Sequence, residues 1–303
     1  MNPIRKILMP LAGAPTAEAA LGTALLVGTR FEAHLEVVHV RADNREVAPL
    51  AGEGLSGAMV EEMMTAAETE ARSRSAAVRA LFDRFTTQHK VPVVAPRGTM
   101  DEAVPAGAAI ADGTTGATAS FGVVVGREHE LVAQLARLAD LTVVSHPATG
   151  DEVSSSEALH AVLFDSGSPV MIAPKRTPSA IGRRVALAWN GTAESAASVR
   201  NMMPWLAGAE AVSVLHSPDY QRRGPTYDGL LAYLALHDLR PEPIAFAARD
   251  RDVGAGLLAA ARDWGADLIG MGAYSHSRLR QLILGGVTRH VLEHADLPVV
   301  MSR

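Results

Sequence analysis

Ala266-Asp-Leu-Ile-Gly-Met-Gly-Ala-Tyr-Ser-His-Ser-Arg-Leu-Arg-Gln-Leu-Ile-Leu-Gly-Gly-Val-Thr-Arg-His-Val-Leu-Glu-His-Ala-Asp-Leu-Pro-Val-Val-Met301 is the stretch that decides the fold. An apolar strand runs into a glycine-containing loop, the pair Gly285-Gly286 opens a helix, and a short strand closes the segment. Loops of this kind turn backbone N–H groups and a helix N-terminus toward a bound anion, most often a phosphate. The intervening His276-Ser277-Arg278-Leu279-Arg280 adds a hydroxyl and two fixed positive charges suited to phosphate oxygens.

Working outward, the same pattern recurs earlier in the chain. Arg5-Lys6-Ile7-Leu8-Met9 is echoed by Arg183-Arg184-Val185-Ala186-Leu187, and Leu35-Glu36-Val37-Val38-His39 by Val212-Ser213-Val214-Leu215-His216. Ala139-Asp140-Leu141 answers Ala266-Asp267-Leu268, and Pro169-Val170-Met171 answers Pro298-Val299-Val300. Matched landmarks in one order indicate an internal repeat. The segment 173–180, with two prolines, reads as the linker. Domains over 1–176 and 182–303 are therefore expected, as the length of 303 residues also suggests. In each half, short apolar runs alternate with amphipathic segments of helix length. That alternation predicts an α/β fold with a parallel sheet and helices on both faces. Strands are expected near 183–189, 211–216, 243–248, 267–271 and 298–301, with helices near 192–206, 225–238, 254–264 and 286–295. A long helix is expected over about 57–88, with Met59, Met63, Ala67, Val78, Leu81, Phe82 and Phe85 as an ordinary packing stripe.

Composition narrows the function. The chain is 48% hydrophobic and 20% charged, enough to bury a full core, and its net charge of −5 disfavours nucleic acid or an anionic membrane as partner. It has no cysteine, which excludes disulfides and thiolate chemistry. No apolar run is long enough for a membrane span, and the first apolar stretch recurs inside the chain, so it reads as a strand of a cytoplasmic protein rather than a signal.

Other motifs read as structural. Gly270-x-Gly272-x-x-Ser275 half-imitates a dinucleotide fingerprint, but that motif belongs after a first strand and here only one strand remains. His290-Val-Leu-Glu293-His294 matches an inverted zinc-protease motif, yet no third ligand stands out and the residues read as a partly exposed helix end without metal. His39 and His216, at matched strand ends, are expected to bond neighbouring backbone. There is no nucleophile elbow, and no general base or metal carboxylate is evident beside the loop, so a hydrolase ranks last.

Gly272, Ser275, Gly285 and Gly286 stand at the places of the nucleotide loop of the universal stress protein family: Gly, two residues, Gly, nine residues, Gly, then Ser or Thr. Arg289-His-Val-Leu-Glu-His-Ala-Asp-Leu-Pro-Val-Val is typical of that family's closing segment, and Gly272-Ala-Tyr-Ser-His-Ser-Arg278 looks like a tandem subgroup. Both halves resemble its domain. The resemblance implies two adenine-nucleotide α-hydrolase-like (Rossmann-like) domains, each with five strands, paired through their last strands Val170-Met171-Ile172 and Val299-Val300-Met301. It implies a stress-response role with ATP or AMP as ligand, with or without Mg²⁺, that is regulatory or at most weakly ATP-hydrolysing; the alternative is a nucleotide-free dimeric adaptor. The acidic residue that contacts the nucleoside in ATP-binding members is Asn190 here. Ser275 replaces the second loop glycine, and Gly286 replaces the hydroxyl residue, for which Ser277 or Thr288 can substitute. The N-terminal half has Pro10-Leu11 in place of a polar residue and Asp151 and Glu152 in its loop, so it is expected to have lost its site.

Overall fold

In a computed structural model of the protein, the structure describes residues 3–13, 15–42, 57–95, 116–146, 157–273 and 286–303. The first half runs β1 (Lys6–Pro10), α1 (Ala17–Phe31), β2 (His34–Arg41), α2 (Gly57–Gln88), β3 (Thr118–Val125), α3 (Glu128–Ala136), β4 (Leu141–Val144), α4 (Glu157–Asp165) and β5 (Val170–Ile172). The second runs β6 (Arg184–Ala188), α5 (Ala193–Leu206), β7 (Ala211–His216), α6 (Tyr227–Ala235), β8 (Glu242–Ala245), α7 (Val253–Trp264), β9 (Leu268–Gly272), α8 (Gly286–His294) and β10 (Val299–Ser302). The expected α/β alternation is what the chain adopts, and the second-half elements fall within a few residues of their expected bounds.

The ten strands form one sheet in the order β3-β2-β1-β4-β5-β10-β9-β6-β7-β8. Every pairing is parallel except the central one, where Val299, Val300 and Met301 lie antiparallel to Ile172, Met171 and Val170. The two five-stranded halves are thus mirrored in order and fused into a single sheet at their last strands. All six seam residues are buried, so no apolar edge is left open there. Arg30 Nη2 donates to the Gly208 carbonyl at 2.7 Å, and Phe31 meets Trp205 edge-on at 4.8 Å, which ties α1 to the end of α5 across the seam.

The sheet has two apolar layers. One buries Leu21 and Val27 of α1, Val78, Phe82 and Phe85 of α2, Met202 and Trp205 of α5, and Leu230 and Leu234 of α6. The other buries Val132 of α3, Val162 of α4, Leu257 of α7 and Val291 of α8. The sequence repeat has a physical reason at the strand starts. Asp140 accepts the Arg5 and Lys6 backbone N–H groups at 2.8 and 2.9 Å, and Asp267 accepts those of Arg183 and Arg184 at 3.0 and 3.1 Å. Each aspartate fixes the first strand of its half beside the fourth.

One expectation fails. Met59 and Met63 are half-exposed, at 50% and 51%, so the methionine part of the α2 stripe lies outside the buried core. At 32 residues the helix is about 48 Å long and outruns the sheet. Only its C-terminal turns, from Val78, reach the core, while the earlier turns carry Glu68–Arg72 and Glu70–Arg74 pairs.

Candidate functional site

Adjacent strands β6 and β9 send the chain to opposite faces of the sheet. From β6 it passes to α5 in one apolar layer, and from β9 to α8 in the other. A crevice must open between diverging connections at the carboxyl ends of such strands, and open α/β sheets bind ligands there. The first half has the same arrangement at β1 and β4, which lead to α1 and α4.

Asn190 lies just beyond β6. Its Oδ1 accepts the Thr192 N–H at 3.2 Å and the Thr192 hydroxyl at 2.9 Å, and Thr192 Oγ1 in turn accepts the Ser195 N–H at 3.2 Å as the cap of α5. The carbonyl end of Asn190 is therefore committed to shaping the turn into α5. Gly191, at φ 82°, sits back to back with Gly224, where an added Cβ would stand 2.0 Å from the Gly191 oxygen. Arg222 N–H donates to the Asn190 carbonyl at 2.7 Å, and Trp189 Nε1 donates to the Pro225 carbonyl at 3.0 Å. The connection after β7 is thus pinned on the connection after β6.

Gly272 ends β9 under the first turn of α5. A Cβ on it would come within 2.5 Å of Ser195 N and the Glu194 carbonyl carbon, and a Cβ on Gly270 within 2.6 Å of Met202 Cγ. Both glycines are required where α5 presses on β9, a role that the sequence reading did not assign them. Gly286 is different: it is exposed at the first position of α8, and no atom of the described residues lies within 4 Å of where its Cβ would be. Thr288, two residues on, is buried at 7%. Asn190 and Gly272 flank the start of α5 on one side of the sheet, while Gly286 and Thr288 belong to α8 on the other. Ser275, Ser277 and Gly285 lie outside the described residues.

Of the two histidines at the strand ends, His39 bonds neighbouring backbone as expected, whereas His216 rests on an aromatic ring instead. His39 is buried with Nδ1 2.9 Å from the Leu11 carbonyl oxygen. His216 stacks on Tyr227 at 3.7 Å and 15°; burial holds its imidazole below the ordinary pKa, against the opposing pull of Asp228. In the first-half crevice, Thr16 donates its hydroxyl to the His146 carbonyl at 2.6 Å, joining the connection after β1 to that after β4.

A contact that sequence reasoning missed joins α7 to α8. Asp252 caps α7 by accepting the Ala255 N–H at 3.1 Å, and its other oxygen stands 2.7 Å from His290 Nδ1. Gly254 makes this approach available, since a Cβ there would lie 2.6 Å from His290 Cβ. Burial pushes the Asp252 carboxyl upward, but the Ala255 N–H, the His290 charge and the Gly254 N–H together hold it below its ordinary pKa. No local pattern links position 252 to 290; a capping aspartate followed by Gly254 is the only trace.

Residues 190–303 match the model of the Universal stress protein family. Among solved structures, the chain is similar to a universal stress protein from Archaeoglobus fulgidus DSM 4304, with 12% identity and a TM-score of 0.63, covering 98% of each chain. It is also similar to a functionally unknown protein from Pseudomonas aeruginosa PAO1, with 12% identity and a TM-score of 0.55, covering 99% of this chain and 92% of that one. At these identities the likeness is one of fold. None of the curated proteins matches the sequence. Among the described residues no helix is long and apolar enough to cross a membrane.

Proposed function

We propose that the protein is a cytoplasmic stress-response protein built from two family-type domains, over 1–176 and 182–303, and that the crevice between β6 and β9 takes an adenine nucleotide, ATP or AMP. Binding there is regulatory. The single observation that carries the reading is the exposed first position of α8: among the described residues Gly286 has no atom within 4 Å of its Cβ direction, in the segment that matches the family. The N-terminus of α8 can then present its first N–H groups to a phosphate. Asn190 would face the nucleoside with its NH₂ group, because its Oδ1 is engaged by Thr192. Gly272, Ser275, Ser277 and Gly285 complete the loop, and Thr288, being buried, serves to seat α8. A Mg²⁺ ion, where present, would travel with the triphosphate and neutralise its charge.

A second reading, the nucleotide-free adaptor acting as a dimer through protein partners, is favoured by one observation. The Asn190 carbonyl end is satisfied internally, and the Gly191–Gly224 contact closes the β7 connection onto it. Titration calorimetry of the full chain with ATP and with AMP separates the two. Binding that Gly285→Val weakens at least tenfold, and that Ser275→Gly tightens, supports the nucleotide site. No binding by wild type at millimolar nucleotide favours the adaptor.

A further inference from the structure

From Ala58 to Ala77 no residue of α2 is buried, and Val78 is the first that is. A helical stretch of that length is marginal in water unless one face is packed. Its charges are sorted by sign. Residues 58–70 carry Glu61, Glu62, Glu68 and Glu70 and no basic residue, while residues 71–88 carry Arg72, Arg74, Arg79 and Arg84 against Asp83 alone. The helix dipole acts only over the first and last turns, and the Glu68–Arg72 and Glu70–Arg74 pairs explain only the middle of that order. A stripe of uncharged residues runs along the same helix. Met63, Ala66, Ser73, Ala77 and Ala80 recur at spacings of three, four and seven, hence on one face. All of them are exposed, Met63 to 51%. Glu70 and Arg84 hold the remaining places of the stripe, with Glu62 and Arg74 beside it, and these four are exposed too.

We propose that this face of α2 docks a second copy of the chain, with the two α2 helices antiparallel. A partner surface of one sign would complement only half of the helix, whereas the helix reversed complements both halves. A two-fold axis across the helices produces that reversal and brings the same patch of each copy together. One register sets Met63 on the second copy's Ala80 and Ala66 on its Ala77. There the large side chain enters the space that small ones leave, as a knob enters a hole. Glu70 then falls beside the second copy's Arg74, and Glu62 beside its Arg84. A parallel pairing would instead set Glu62 against Glu62 and Arg84 against Arg84, which like charges oppose. The proposal rests on neither reading of the crevice between β6 and β9, since no residue of that crevice takes part.

The absence of cysteine from the chain makes a cross-linking test specific. Full-length protein carrying only Ala66→Cys is mixed with full-length protein carrying only Ala77→Cys and oxidised with diamide. Disulfide-linked mixed dimers should form in the mixture and not in either variant alone. The antiparallel register holds the two copies of position 66 about 16 Å apart along the axis, beyond the roughly 7 Å that a disulfide spans between Cα atoms. Sedimentation equilibrium gives the strength of the contact. Wild type should dimerise, Glu70→Arg should raise the dissociation constant at least tenfold, and adding Arg74→Glu to it should restore the dimer. That rescue separates a broken contact from a damaged fold. A wild type that stays monomeric at high micromolar concentration, a dimer that Glu70→Arg leaves unchanged, or cross-linking by Ala66→Cys alone would overturn the proposal.

Discussion

The two halves share one topology but close their helices onto the sheet by different means. In the second half, β9 carries Gly270 and Gly272 where α5 passes over, and the helix backbone comes down onto the strand. In the first half, the matching positions on and just after β4 are Val143 and Ser145, and α1 stands further off. There the gap is spanned by a side chain: Thr16, at the start of α1, reaches the His146 carbonyl just after β4. Small residues let backbones approach, while larger ones substitute side-chain bonds for that approach. The consequence is that Gly272 cannot be read as a ligand glycine alone, because packing demands it before any phosphate does. Gly286, with no described residue against its Cβ direction, has no such packing duty among the described residues.

The seam that both halves share is the point where the comparison breaks most severely. Val300 is fully buried and pairs with Met171, so Val300→Lys puts an ammonium into the apolar layer beneath α1 and α5. A loss on the order of 4 kcal/mol is expected, or failure to fold, read as the melting temperature or denaturant midpoint of the full chain. An unchanged midpoint would mean that the halves do not depend on this pairing.

A sharper probe sets the two glycines against each other. Gly272→Ala forces a Cβ against the α5 backbone and should cost roughly 1–3 kcal/mol as overpacking. Gly286→Ala meets open space and should leave stability unchanged to within ~1 kcal/mol. Chemical denaturation of both variants reads the difference, and equal costs would remove the distinction drawn above.

The smallest effect concerns the α7–α8 contact, which belongs to the second half. The Asp252 carboxyl is held below its ordinary pKa in the folded state. Its contribution is therefore present above the unfolded value of about 3.9 and is lost as pH falls through the folded one. Because the side chain is 40% exposed, solvent weakens the effect. Melting temperatures of wild type and Asp252→Asn should differ slightly at pH 6 and converge as the pH falls below the folded-state pKa; a constant gap would assign the difference to capping alone.

Much of this was legible in the chain because it rests on local period and on repetition. The alternation of apolar runs gave the α/β class, and Asp140 and Asp267 marked equivalent strand starts because each must bond two backbone N–H groups. The seam was readable from two short, uncharged apolar ends that need covering. What escaped depends on distances between segments remote in sequence. The length of α2 was correct, but how much of its apolar stripe is buried depends on how far the sheet extends. Gly272 advertised a loop, whereas its neighbours Glu194 and Ser195 come from a helix almost eighty residues away. Likewise His290 and Asp252 meet only because Gly254 removes a side chain between two helices.

On the proposed reading the two crevices are unequal, with a ligand taken by the second alone. Calorimetric titration of the full chain with ATP, and with AMP, measures this most directly. One nucleotide per chain is predicted, with binding lost in Gly286→Val while the melting temperature is retained. Two nucleotides per chain, or the same affinity in Gly286→Val, would contradict it.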